Sequence, residues 1–182
     1  MKTTYIRSTL FLAAGLLVVG AASAQNLSAK QKEARQILEQ VLTCKSNPLE
    51  SDYGKVVELA KTLGGTGGKV VGGITRAGVS GYIYTFKSPS PLQVLGHEVS
   101  RIVIAPTYGA GNWQEAAYTA DLTVDWSDFA EAQKIHPESG LWLATPSFDS
   151  GSIGTSAFVY KPVGTTSPRV NCTYIFLKQP NF

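Results

Sequence analysis

The side chains in this sequence whose types could do chemistry are His97 and His136, Cys44 and Cys172, and the acidic run Asp121, Asp125 and Asp128. His97 and Glu98 are adjacent, and adjacent residues on a strand point to opposite faces, so they make a poor acid–base pair. His136 precedes Pro137 at a predicted helix end, where an imidazolium would suit the helix dipole. Two scattered histidines do not have the spacing of a zinc site. The three aspartates lack the alternate-residue oxygen ligands and central glycine of a calcium loop. They read as a solvated strand face at Asp121 and a helix N-terminus at Asp125 and Asp128. No serine occupies a Gly-x-Ser-x-Gly elbow, since Gly78–Gly81 and Gly151–Gly154 both miss the spacing. These residues point to a protein that is not an enzyme and needs no cofactor and no metal. A Ser-His-Asp site assembled only by folding would make an envelope hydrolase the third choice.

Gly64, Gly65, Gly67, Gly68 and Lys69 resemble a phosphate-binding loop in composition. The motif would place its first glycine at 63, which is Leu, and a Ser or Thr at 70, which is Val. The segment also follows a helix instead of a strand, so it reads as a flexible connection.

The N-terminus carries a different kind of signal. Lys2 and Arg7 precede an apolar run from Leu10 to Val19, and Ala22-Ser23-Ala24 gives the small-x-small pattern of a cleavage site. A run of about ten residues is too short to span a bilayer, which needs about 20. Position 25 is Gln, so there is no cysteine there for a lipid anchor. Residues 1–24 are therefore expected to be a secretory signal peptide and residues 25–182 a single domain, periplasmic or secreted, with no membrane anchor. The full chain has 16 basic and 13 acidic residues; without Lys2 and Arg7 the balance is 14 to 13, net +1. Charges of both signs are interspersed, which excludes the concentrated positive face of a nucleic-acid binder.

Export bears on the cysteines, because disulfides persist in oxidising compartments. Cys44 falls on the apolar side of the first predicted helix, seven residues after Ile37 and three after Val41. Cys172 alternates with Val170, Tyr174 and Phe176 on the last predicted strand. A Cys44–Cys172 disulfide is expected; two buried free thiols are the alternative.

The elements that must position these groups follow from periodicity. Ser28 and Gln31 form a capping box, and Ala34, Ile37, Leu38, Val41 and Leu42 repeat at helical spacing up to a stop at Asn47-Pro48. A second helix is expected from Asp52 to Leu63, stopped by Gly64-Gly65. The period then changes to two. Strands are expected over Tyr82–Phe86, on both sides covered or at an edge, over Glu98–Ile104 and over Tyr118–Asp125. A short helix opened by Asp128 and Glu131 should reach Ile135. Strands over Leu141–Thr145, Thr155–Lys161 and Val170–Lys178 complete an α+β domain, a helical hairpin packed on a mainly antiparallel sheet.

Two loops combine aromatic, glycine and polar residues as recognition surfaces do. One runs from Tyr108 through Asn112 to Trp113; the other follows Pro146 and contains Phe148 and Asp149. Tyr108, Asn112, Trp113, Phe148 and Asp149 are the expected partner-binding residues. The alternative is that Trp113 and Phe148 fold back onto the core.

A cysteine-bearing first helical hairpin, the Pro-Leu-Gln-Val-Leu-Gly run within Phe86–Val99 and a terminal Cys-Thr-Tyr strand together resemble small proteobacterial periplasmic proteins of the immunity or inhibitor type. That resemblance implies a protein partner, such as a toxin or a cell-wall or membrane hydrolase, neutralised by occlusion. It carries over no functional residue. A small-molecule or lipid binder using the sheet as a pocket wall is the alternative function.

Overall fold

The computed structural model describes residues 26–46, 53–72, 80–108, 113–136, 138–148 and 153–177. The expected signal peptide, and the expected helix stop at Asn47-Pro48, lie outside the described residues. Helix α1 (Ala29–Leu42) begins at the predicted capping box: the Gln31 amide donates to Ser28 Oγ at 3.3 Å, and Gln31 Oε1 accepts from the Ser28 amide at 3.0 Å. Its buried stripe is Ala34, Leu38, Val41 and Leu42. Helix α2 (Tyr53–Thr62) turns Val56, Val57 and Ala60 inward against α1.

Helix α1 ends before the expected stop. Cys44 sits just past the helix with φ 58°, the Cys44 amide donates to the Val41 carbonyl, and the Lys45 amide donates to the Gln40 carbonyl. This left-handed closure satisfies orphan carbonyls and ends the helix without needing a proline. Cys44 is therefore beyond the helix and not on its stripe. Helix α2 closes the same way at Gly64, φ 79°, as the paired glycines foretold. Helix α3 (Trp126–Gln133) closes at Lys134, φ 55°, two residues short of the expected end at Ile135. It also starts earlier, at Asp125 in the N-cap position with Asp128 in the first turn, as negative charge at a helix N-terminus favours.

Eight strands among the described residues form the sheet: β1 (Thr66–Val70), β2 (Gly81–Thr85), β3 (Gln93–Val94), β4 (His97–Tyr108), β5 (Trp113–Leu122), β6 (Leu141–Phe148), β7 (Ile153–Tyr160) and β8 (Arg169–Leu177). The order is β1-β2-β4-β5-β8-β7-β6, with β3 paired on β4, and every described pairing is antiparallel. The fold is α+β. The glycine-rich stretch after α2 is an edge strand and not a flexible connection. Gly67, φ 148°, lies against β2 so closely that a Cβ would overlap the Ile83 carbonyl, so the missing side chain is what permits the pairing. With β1 beside it, β2 is an interior strand.

The inner face of the sheet carries Ile102, Ile104, Tyr118, Ala120, Val159, Val170, Cys172 and Tyr174, all buried with the stripes of α1 and α2 in one core. Cys44 and Cys172 form a disulfide, with Cα atoms 5.5 Å apart, that ties the end of α1 to the middle of β8. The Tyr174 hydroxyl donates to the Ser46 carbonyl and fixes the same junction. Among the described residues no helix is long and apolar enough to cross a membrane.

Candidate functional site

The β-ladder decides which of the expected contact residues share a neighbourhood. Tyr108 pairs with Glu115 near the β4–β5 turn, Trp113 with Leu177 at the end of β8, Ile153 with Phe176, and Phe148 with Gly154 near the β6–β7 turn. The ends of β4, β5, β6 and β7 that carry these residues therefore lie at the same end of the sheet, with the end of β8 between them. Tyr108, Trp113 and Phe148 belong to strand ends instead of loops, because ladder bonds continue almost to each turn. Asn112 and Asp149 lie outside the described residues.

The other chemistry-bearing residues do not gather there. His97 opens β4 with its ring centroid 5.5 Å from that of Phe129 on α3, and desolvation lowers its pKa. Its neighbour Glu98 turns the other way, where Oε2 accepts from the Ser90 amide at 3.0 Å and from Ser88 Oγ at 3.1 Å. His136 is exposed, and its Nδ1 accepts from the Glu138 amide. Among the described residues no group of His, Cys, Asp or Glu is placed to hold a metal.

Asp121 departs from its expected role as part of a solvated face. On the outer face of the sheet its carboxylate lies between two arginines contributed by the flanking strands. Arg101 Nε donates to Oδ2 at 2.7 Å, Arg169 Nε to Oδ1 at 2.5 Å and Arg169 Nη2 to Oδ2 at 3.2 Å. The Asp121 side chain is 20% exposed and that of Arg169 23%, so this pair is largely withdrawn from water, while Arg101 stays half-exposed. Hydrogen bonding to Asp121 holds the Arg169 guanidinium above its ordinary range, against the opposing effect of burial. Register explains the grouping: Tyr160, Arg169, Asp121 and Arg101 are successive cross-strand partners on β7, β8, β5 and β4. Sequence reasoning missed both arginines. Each sits at an outward position of its strand, but only the ladder reveals that they face one carboxylate.

The next row of the outer face begins with aromatics. Trp142, 57% exposed, lies 5.3 Å from Phe158, which lies 5.1 Å from Tyr160. On the inner face the Tyr118 hydroxyl is buried without a partner among the described residues, and burial pushes its pKa up. It stands edge-on to Tyr174, 5.8 Å between centroids, as part of the core.

No family model, no curated protein and no solved structure matches the chain.

Proposed function

We propose that the protein is an exported binding protein of the immunity or inhibitor type, which neutralises a toxin or envelope hydrolase by covering it. The observation that supports this reading is the common end of the sheet shared by Tyr108 and Trp113 on β4 and β5 and by Phe148 and Ile153 on β6 and β7. From β4 to β6 the order crosses four strand spacings, or about 19 Å at ~4.8 Å each. A standard interface covers about 800 Å² per partner, a patch roughly 28 Å across, so one such patch takes in all these strand ends. Occlusion needs contact area and no reacting group, and aromatic residues at an interface centre are the ones that most often dominate its energy. The N-terminal signal pattern and the Cys44–Cys172 bond suit an oxidising compartment outside the cytoplasm.

The test is capture of partners from a periplasmic extract with the wild-type protein and with Trp113→Ala, each identified by mass spectrometry. The expected result is one hydrolase or toxin retained by the wild type and lost from the variant. Equal capture by both proteins would remove this end of the sheet from the interface. Loss of protective activity in His97→Ala or His136→Ala, with the fold intact, would point to catalysis instead.

A further inference from the structure

We infer that the cleft beside the Arg101–Asp121–Arg169 network binds a small oxyanion, a carboxylate or a phosphate. The cleft has a volume of about 220 Å³ and is lined by Ser100, Arg101, Asp121, Thr165, Ser167 and Arg169 among others. That volume is below the roughly 300 Å³ at which pockets for drug-sized ligands begin, so a small group fits and a large one does not.

Charge is the first argument. Two guanidiniums face one carboxylate, which leaves an excess positive charge in a partly buried place. A cross-strand tie needs only one arginine per aspartate, and the second is uncompensated among the described residues. A guanidinium carries five N–H donors. Asp121 takes Nε and Nη2 of each arginine, and Tyr160 is the other side-chain partner of Arg169. Donors remain on both, in the planar fork that suits a bidentate oxyanion.

The second argument is how the cleft is built. The register of β4 against β5 shifts between Val99 and Arg101. A bulge of this kind re-aims side chains, and both Ser100 and Arg101 line the cleft. Ser100 Oγ donates to the Asp121 carbonyl at 3.2 Å, which fixes it there. The opposite wall is the β7–β8 connection. It is anchored by the Leu122 amide donating to the Pro168 carbonyl at 3.0 Å and the Trp126 amide donating to the Thr166 carbonyl at 2.7 Å. Thr165 and Ser167 are thus held on a fixed turn opposite two arginines, with Thr165 Oγ1 donating to the Pro162 carbonyl at 2.9 Å. The site is separate from the shared turn end, since Arg169 and Asp121 lie at the far ends of β8 and β5.

The experiment is a titration of the intact protein with inorganic phosphate and, separately, with succinate, at low ionic strength where screening is weakest. It is followed by the arginine Nε resonances. Saturable shifts at Arg101 and Arg169 are expected, with Kd on the order of 1 mM. Tighter binding of phosphate would assign a phosphoryl ligand, and tighter binding of succinate a carboxylate. Arg101→Gln, at a 41% exposed side chain, should weaken binding at least tenfold. Asp121→Asn removes the competing carboxylate and should tighten it by a similar factor, a gain that damage to the fold would not produce. If neither anion moves either resonance in the wild type at about 10 mM, roughly ten times that Kd, the proposal is wrong. It is equally wrong if Arg101→Gln binds as the wild type does.

Discussion

Removing the Cys44–Cys172 bond should cost close to 5 kcal/mol, and part of that loss should be recoverable at Cys44 alone. The bond closes a loop of 128 residues in sequence separation. In the chain-entropy description such a loop restricts the unfolded chain by about 5 kcal/mol. Typical domains hold only ~5–15 kcal/mol in total, so the double variant Cys44→Ala/Cys172→Ala should sit near the edge of folding. With a urea slope of about 2 kcal/mol/M, its midpoint should fall by about 2.5 M, and the slope itself should rise as the unfolded chain expands. The backbone adds a second expectation. Cys44 occupies the left-handed region at φ 58°, where a residue with a Cβ is disfavoured by roughly 1–2 kcal/mol. Once the bridge is gone nothing requires a side chain there, so Cys44→Gly/Cys172→Ala should be about 1 kcal/mol more stable than the double alanine variant. Urea denaturation of the three proteins followed by circular dichroism measures both effects. A midpoint drop under about 0.5 M would refute the loop-closure argument. A glycine variant no better than alanine would refute the argument from the helix terminus.

Trp113→Ala should weaken partner binding at least tenfold with little change in melting temperature. A loss of about 3–5 kcal/mol in folding would instead assign Trp113 to the core. Desolvation lowers the His97 pKa, so its folded value lies below the ordinary one and the unfolded chain binds the proton first. Its contribution is present above about pH 6.5 and is lost as pH falls through the folded pKa. His97→Phe, which keeps a ring against Phe129, should therefore lose less stability than the wild type between about pH 7 and pH 5 in parallel thermal melts. Gly67→Ala should cost roughly 2–3 kcal/mol by the same melts, because its Cβ would overlap the Ile83 carbonyl and its φ is positive; a neutral result would mean β1 contributes nothing to the fold.

Local signals were legible wherever residue type alone determines the outcome. Ser28 and Gln31 announce the start of α1, Gly64 announces the end of α2, and the alternation of Tyr118, Ala120 and Leu122 identifies the buried face of β5. The other two helix ends were not legible, because Cys44 and Lys134 adopt the left-handed conformation without being glycine. The strand character of residues 66–70 was hidden because glycines depress strand propensity, yet here they allow two backbones to approach. The partnership of Arg101, Asp121 and Arg169 is a property of register across three strands, separated by 20 and 48 residues in sequence. No local pattern encodes that.

The place of β8 in the sheet has a consequence for how the protein comes into being. It is the last of the described strands in sequence, yet it lies between β5 and β7. The β1–β5 portion and the β6–β7 hairpin share no ladder until it arrives. A chain emerging N-terminus first therefore waits with two unpaired sheet edges, the kind of surface that recruits foreign strands. Its Cys44 thiol waits as well, since the partner cysteine travels on the same late segment. Sheet closure and covalent closure thus fall together, when residues 169–177 arrive. A chain ended before Arg169 is an open socket for one strand, which a separate peptide spanning 169–177 would be shaped to fill.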